Sequence, residues 1–211
     1  MAKNAIVWGA SGAIGRAFVN QLAADGWKVL GVSRHPEDLA DLTDHRLTAD
    51  VADPGRVREA VHAAGMTLKS LDLYVYAAGD ITSVPVREME PHDWHRILNA
   101  NFSGAYLTTH HSLKLLNEGA HVVYIGAVSE RLRLPGLSAY GAAKVALEAF
   151  ADALKKEERK LNVLVVRPGA VDTDFWEKVP MSKPKSALSP EDVAQRTLEA
   201  IANGEKGTLD L

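Results

Sequence analysis

The apolar pattern along this chain of 211 residues constrains its fold more than any other feature. Short runs of strand length, rich in Val, Leu and Tyr, alternate with segments whose apolar residues recur every three or four positions. Strands that are apolar on both faces must be covered on both faces. The alternation therefore predicts the α/β class, with a single doubly wound parallel sheet inside three α/β/α layers. Strands are expected at Ala5–Trp8, Lys28–Ser33, Arg46–Ala49, Leu71–Ala77, His121–Ile125, Asn162–Val166 and Thr208–Leu211. Helices are expected at Ile14–Ala24, Glu37–Leu42, Pro54–Ala64, Pro91–Leu98, Phe102–Leu116, Ala139–Leu161 and Pro190–Ala202. Asp53 before Pro54 and Ser189 before Pro190 each join a capping side chain to a residue that lacks an N–H. No repeat or linker breaks the pattern, so residues 1–211 read as one domain.

Composition narrows the function. An apolar share of 46% supports one sizeable core, and a net charge of −3 argues against a nucleic-acid surface. Cysteine is absent, which excludes disulfides, thiolate metal sites and cysteine nucleophiles. The apolar run ending at Ala10 is too short for a signal peptide or a membrane span. A cytoplasmic protein with no membrane and no nucleic-acid partner is expected. The paired histidines His92/His95 and His110/His111 do not read as a ligand cluster, and the adjacent pair points in different directions, so no metal site is expected.

The glycine-rich turn Gly9-Ala10-Ser11-Gly12-Ala13-Ile14-Gly15 falls between the first strand and the first helix. Glycines there permit a tight turn and let a pyrophosphate approach the free N–H groups of a helix start. The turn predicts dinucleotide binding, in the manner of a Rossmann fold. The second strand ends in Ser33-Arg34, where an NAD-preferring domain usually carries an acidic residue. An arginine attracts a 2′-phosphate that a carboxylate would repel, so NADP(H) is favoured over NAD(H). Asp50, with Val51 packed nearby, either accepts from the adenine amino group or caps its own turn.

Tyr140 and Lys144 stand four residues apart in a predicted helix and share a face. An ammonium beside a phenol favours the phenolate, so Lys144 is expected to lower the Tyr140 pKa and make it a working acid/base. The segment 174–188 follows the sixth strand and carries Phe175, Trp176 and Met181 between polar residues and prolines. It is expected to form a lid over an apolar part of a small-molecule substrate, because ligands of such sheets bind at the strands' carboxyl ends.

Taken in order, these motifs resemble the short-chain dehydrogenase/reductase family along nearly the whole chain. The resemblance rests on Gly9–Gly15, Asp50-Val51, Ala77-Ala78-Gly79, Trp94 with Asn101-x-x-Gly104, Tyr140-x-x-x-Lys144 and Pro168-Gly169-Ala170-Val171-Asp172-Thr173. It implies an NAD(P)-dependent oxidoreductase, active as a homodimer or homotetramer through the Phe102–Leu116 and Ala139–Leu161 helices. Tyr140 would be the general acid/base, and Lys144 would tune it and bind the nicotinamide ribose. Asn101 would hold a relay water. Gly9, Ser11, Gly12, Ala13, Ile14, Gly15, Ala77, Ala78 and Gly79 would line the dinucleotide. Pro168, Gly169, Val171 and Thr173 would cover its nicotinamide.

Three departures qualify the resemblance. The family's catalytic serine falls at Ala127, which cannot donate to a substrate carbonyl; Ser129, two residues on, either stands in for it if the loop bends or is a surface hydroxyl of a polar loop with Glu130, Arg131 and Arg133. The glycine turn is spaced Gly-x-x-Gly-x-x-Gly, and Tyr76-Ala77-Ala78-Gly79 lacks the usual asparagines. The turn and Ala127 are similar to those of quinonoid dihydropteridine reductases, so reduction of a quinonoid ring is the alternative. A nucleotide-binding protein without turnover is the rival from another class.

Overall fold

The computed structural model describes residues 3–211. Seven strands form one sheet: β1 (Asn4–Trp8), β2 (Lys28–Ser33), β3 (His45–Thr48), β4 (Leu71–Tyr76), β5 (Leu116–Ile125), β6 (Asn162–Arg167) and β7 (Gly207–Asp210). All are parallel, in the order β3-β2-β1-β4-β5-β6-β7. Six α-helices cover it: α1 (Ala13–Ala24), α2 (Pro54–Leu68), α3 (Pro91–Leu98), α4 (Gly104–Ser112), α5 (Ser138–Glu157) and α6 (Pro190–Ala202).

Side chains of β1 explain the two covered faces. Successive residues of a strand point to opposite sides. Ala5 and Val7 pack with Phe18 and Leu22 of α1 and Val193 of α6. Ile6 and Trp8 pack with Val57 and Val61 of α2 and Leu147 of α5. The chain winds outward through β1, β2 and β3 and then crosses back to place β4 on the other side of β1. That reversal opens a crevice at the carboxyl ends of β1 and β4.

Both expected caps form. The Asp53 carboxylate accepts from the N–H groups of Gly55 and Arg56, and Ser189 and Asp192 make a reciprocal capping box. Four expected helices differ, Pro54–Ala64 by running on to Leu68. Glu37–Leu42 is only a tight 3₁₀ turn at Pro36–Leu39. Phe102–Leu116 is a wide π-helical turn at Asn99–Ser103, then α4, then a tight turn at Leu113–Leu115. β5 consequently starts at Leu116, paired with Leu71. The long helix stops at Glu157, because the chain must reverse before Asn162 pairs with His121.

The π turn has a visible cause. The Tyr76 hydroxyl donates to the Ala100 carbonyl at 2.7 Å. A Cβ on Gly104 would lie 2.5 Å from that hydroxyl and 2.8 Å from the Asn99 carbonyl oxygen. Glycine at 104 therefore lets the turn sit against the end of β4. π turns mark functional sites more often than regular helix does.

Candidate active site

A cleft of about 1,020 Å³ lies at the carboxyl ends of the strands. Its floor is the turn after β1. Gly9 has φ of 75°, a conformation that side chains resist, and a Cβ there would stand 2.4 Å from the Ala78 nitrogen. A Cβ on Gly15 would stand 2.2 Å from the Gly9 oxygen. Gly12 is the N-cap of α1 and gives it no side-chain cap. The helix start is thus open to the cleft, where its N–H groups and dipole suit an anion. Glycines that bring backbone this close, beside an uncapped helix start, fit a dinucleotide pyrophosphate.

Around this floor lie Ser11, Ala13, Ile14, Ser33, Arg34, Asp50, Val51, Ala77, Ala78 and Gly79. Gly15 is not a lining residue; it serves by close packing beneath the turn. Arg34 is exposed at the rim, while Ser33 is buried and its hydroxyl oxygen accepts from the His35 N–H at 3.1 Å. Asp50 accepts from Ala52 N–H at 2.9 Å through one carboxylate oxygen while lining the cleft. Pro168, Gly169, Val171 and Thr173 line the opposite wall.

Tyr140 and Lys144 line the cleft together, one turn apart on α5. The Lys144 ammonium lies 5.5 Å from the centre of the Tyr140 ring and donates to the Ile125 carbonyl at 2.8 Å. Burial lowers the Lys144 pKa to about 8, opposed by the nearby Glu148 carboxylate. The sequence expectation that Lys144 lowers the Tyr140 pKa is corrected here. Loss of water around the phenol pushes its pKa up, and the ammonium faces the ring and a carbonyl. At neutral pH Tyr140 therefore keeps its proton.

Asn101 is fully buried in the π turn and does not line the cleft. Its amide nitrogen donates to the carbonyls of Asp80 at 2.6 Å and Ile97 at 2.9 Å. Its Oδ1 is buried without a hydrogen-bond partner and lies 3.0 Å from where a Gly79 Cβ would stand. Ser129 is a second correction. Ala127 and Val128 line the cleft, but Ser129 starts a tight turn, is buried and lies outside it.

Several lining side chains had no strong local signal. Asp80 receives Ile81 N–H at 2.8 Å and ion pairs from Arg96 of α3 and Lys178 at 2.9 Å. Lys178 belongs to a tight turn at Asp174–Lys178 whose Trp176 indole donates to the Val171 carbonyl at 2.7 Å. Phe175, Trp176, Val179 and Met181 make this wall apolar. Arg131 lines the cleft beside Gly169. Glu130-Arg131 reads in sequence as an ordinary polar loop.

The chemistry of this cleft is that of a nicotinamide-dependent oxidoreductase: a dinucleotide cradle runs into a wall that presents a half-buried phenol. The short-chain dehydrogenase model matches residues 3–183, and the chain belongs to that family of NAD(P)-dependent oxidoreductases. An uncharacterized oxidoreductase of Staphylococcus aureus is 28% identical over 94% of this chain and 90% of its own length. A short-chain dehydrogenase of Streptomyces avermitilis superposes with a TM-score of 0.88 and 26% identity, over 100% of this chain and 89% of that one. An alcohol dehydrogenase from the archaeon Thermococcus sibiricus gives a TM-score of 0.91 at 23% identity, over 100% and 96% of the two chains.

Proposed function

We propose that this oxidoreductase reduces a carbonyl-type small molecule with NADPH, and that Tyr140 donates the proton. One observation carries the reading: the Tyr140 phenol and the Lys144 ammonium, which lies 5.5 Å from the ring centre, line the same cleft as the glycine turn. NADPH supplies the hydride when bound. The backbone from Gly9 to Gly15, with Ser11, holds the pyrophosphate. Arg34 binds the 2′-phosphate beside Ser33, with no carboxylate at the end of β2 to repel it. Asp50 and Val51 take the adenine, and Ala77, Ala78 and Gly79 pass beneath the riboses. Pro168, Gly169, Val171 and Thr173 cover the nicotinamide.

Lys144 binds the nicotinamide ribose and supports return of a proton to Tyr140. The unpartnered Oδ1 of Asn101 is the acceptor for a relay water. Residues 174–188 act as the lid, anchored by Lys178 to Asp80. The exposed Tyr106 of α4 and Val145 of α5 form the seam of a homodimer or homotetramer.

Ala127 shapes the substrate choice. An absent donor at a developing oxyanion costs about 2.7–4 kcal/mol, a factor of about 10²–10³ in rate. This favours either a second donor from the cleft wall or a quinonoid ring that needs less help. The test is NADPH oxidation with aldehydes, ketones and a quinonoid pterin, with Tyr140→Phe as control. Loss of turnover in the control with retained NADPH binding is expected; equal rates would refute the role of Tyr140. Titration of NADPH and NADH into wild type and Arg34→Ala tests cofactor choice. Tighter NADH binding by wild type would refute the Arg34 reading.

A further inference from the structure

The substrate end of the cleft contains a cation that its own protein leaves uncommitted. Arg131 lines the cleft and is exposed. Its guanidinium Nη1 lies 3.8 Å from where a Cβ on Gly169 would stand, beside the neighbouring loop after β6. Ala127 lines the cleft four residues before it, at the place of the missing donor. Arg131 has no side-chain hydrogen bond or ion pair among the described residues, although carboxylates are close in sequence and on the walls. Those carboxylates are largely engaged. Glu130 pairs with Arg167 at 3.1 Å, and Arg167 also holds Glu148 and Asp210. Asp80 is bound by Arg96 and Lys178. Asp50 sits beside Val51 near the turn after β3, and Asp174 is the remaining acidic lining residue. Leu132, Leu134 and Met181 give the same wall an apolar surface.

A guanidinium meets two oxygens of a carboxylate or sulfonate edge-on, with two parallel hydrogen bonds. We propose that Arg131 is the specificity-determining residue of this site, and that the substrate is a short carbonyl compound bearing a carboxylate-like anion. The anion binds Arg131 while the carbonyl oxygen faces Tyr140. This rests on the reading of the chain as a carbonyl reductase. It also gives Arg131 a role that the altered position 127 leaves open: an anion held there orients a carbonyl that no serine anchors.

The test uses aldehydes of equal length that differ only in the far group: methyl, amide, carboxylate or sulfonate. With wild type and NADPH, the anionic members should have kcat/KM at least about tenfold above the methyl member. Arg131→Leu should raise KM for the anionic members by about 10- to 100-fold, the range for a hydrogen bond to a charged group. The preference over the methyl member should collapse towards one, and Arg131→Lys should restore part of it. Equal kcat/KM across the set in wild type would overturn the proposal and leave the reductase reading intact. An equal loss for every member in Arg131→Leu, or a matching loss of NADPH affinity, would overturn it too, since Arg131 would then be structural or bind cofactor. Calorimetry of butanoate against butanamide, with the NADPH-loaded protein, reads the contact without turnover. Tighter butanoate binding that Arg131→Leu removes supports the contact even if no aldehyde is reduced, in which case the reductase reading alone fails. Equal binding of the two ligands refutes the contact.

Discussion

Replacing Lys144 with methionine should make the protein more stable while removing its activity. Lys144 is buried, and burial moves its pKa from 10.5 to about 8. The difference, 10.5 minus about 8, is about 2.5 units, and each unit corresponds to 1.36 kcal/mol. The folded state is therefore penalised by about 3 kcal/mol wherever both states carry the charge. Below pH 8 both are protonated and the full penalty applies. Between about pH 8 and 10.5 the unfolded chain binds more protons than the folded one, so wild-type stability rises with pH across that window. Methionine keeps the apolar stem and removes the charge, but also removes the bond to the Ile125 carbonyl. That lost bond offsets about 1 kcal/mol. The expected gain for Lys144→Met at pH 7, without dinucleotide, is about 2 kcal/mol. It should shrink as pH approaches 10. Urea unfolding of both proteins from pH 6.5 to 10 measures it. A variant less stable than wild type at pH 7, or a difference independent of pH, would refute the argument. Turnover should fall steeply in the same variant, the trade-off expected where a site is held in a strained electrostatic state.

Other expectations test the cradle, the wall and the altered position. Gly9→Ala meets the Ala78 backbone at 2.4 Å with φ of 75°, and should lose about 1–3 kcal/mol of stability along with NADPH binding. Gly12→Ala has ordinary φ of −70° and meets only the Gly9 oxygen at 3.4 Å, so it should fold normally but bind NADPH more weakly. Thermal melts with and without NADPH separate the two. Asp80→Asn removes the charge that holds Lys178 and Arg96, so the Asp174–Lys178 turn should become more open to protease and its Trp176 fluorescence should shift. Unchanged cleavage would show that Asp80 is not the anchor. Ala127→Ser places a hydroxyl on the cleft wall and should raise kcat for simple ketones by up to about 10²–10³-fold, read by NADPH oxidation.

What was legible in the sequence follows from how local each cause is. The alternation of buried strands and one-faced helices is a local property, and all seven strands form within a few residues of their expected places. The Asp53 and Ser189 caps are local too, set by a side chain and the next three N–H groups. The turn at Gly9 could be read because its glycines follow β1 directly. Causes that join distant segments could not be read. Asp80 meets Arg96 across 16 residues and Lys178 across 98, and nothing in either segment marks that meeting. The π turn depends on a Tyr76 hydroxyl reaching Ala100, 24 residues away. The Tyr140–Lys144 pair shows the boundary between the two kinds. Its spacing fixed proximity, and proximity alone suggested a lowered tyrosine pKa. The sign is decided by how much water the rest of the fold removes, and it removes enough to raise Tyr140 and lower Lys144. Ser129 fails for the same reason: two residues is a short distance along the chain, but Ser129 starts a tight turn and is not among the residues that line the cleft. Arg131, two residues further, faces the cleft instead. At this position the order of side chains along the loop is a poor guide, and the course of the backbone decides which group lines the cleft.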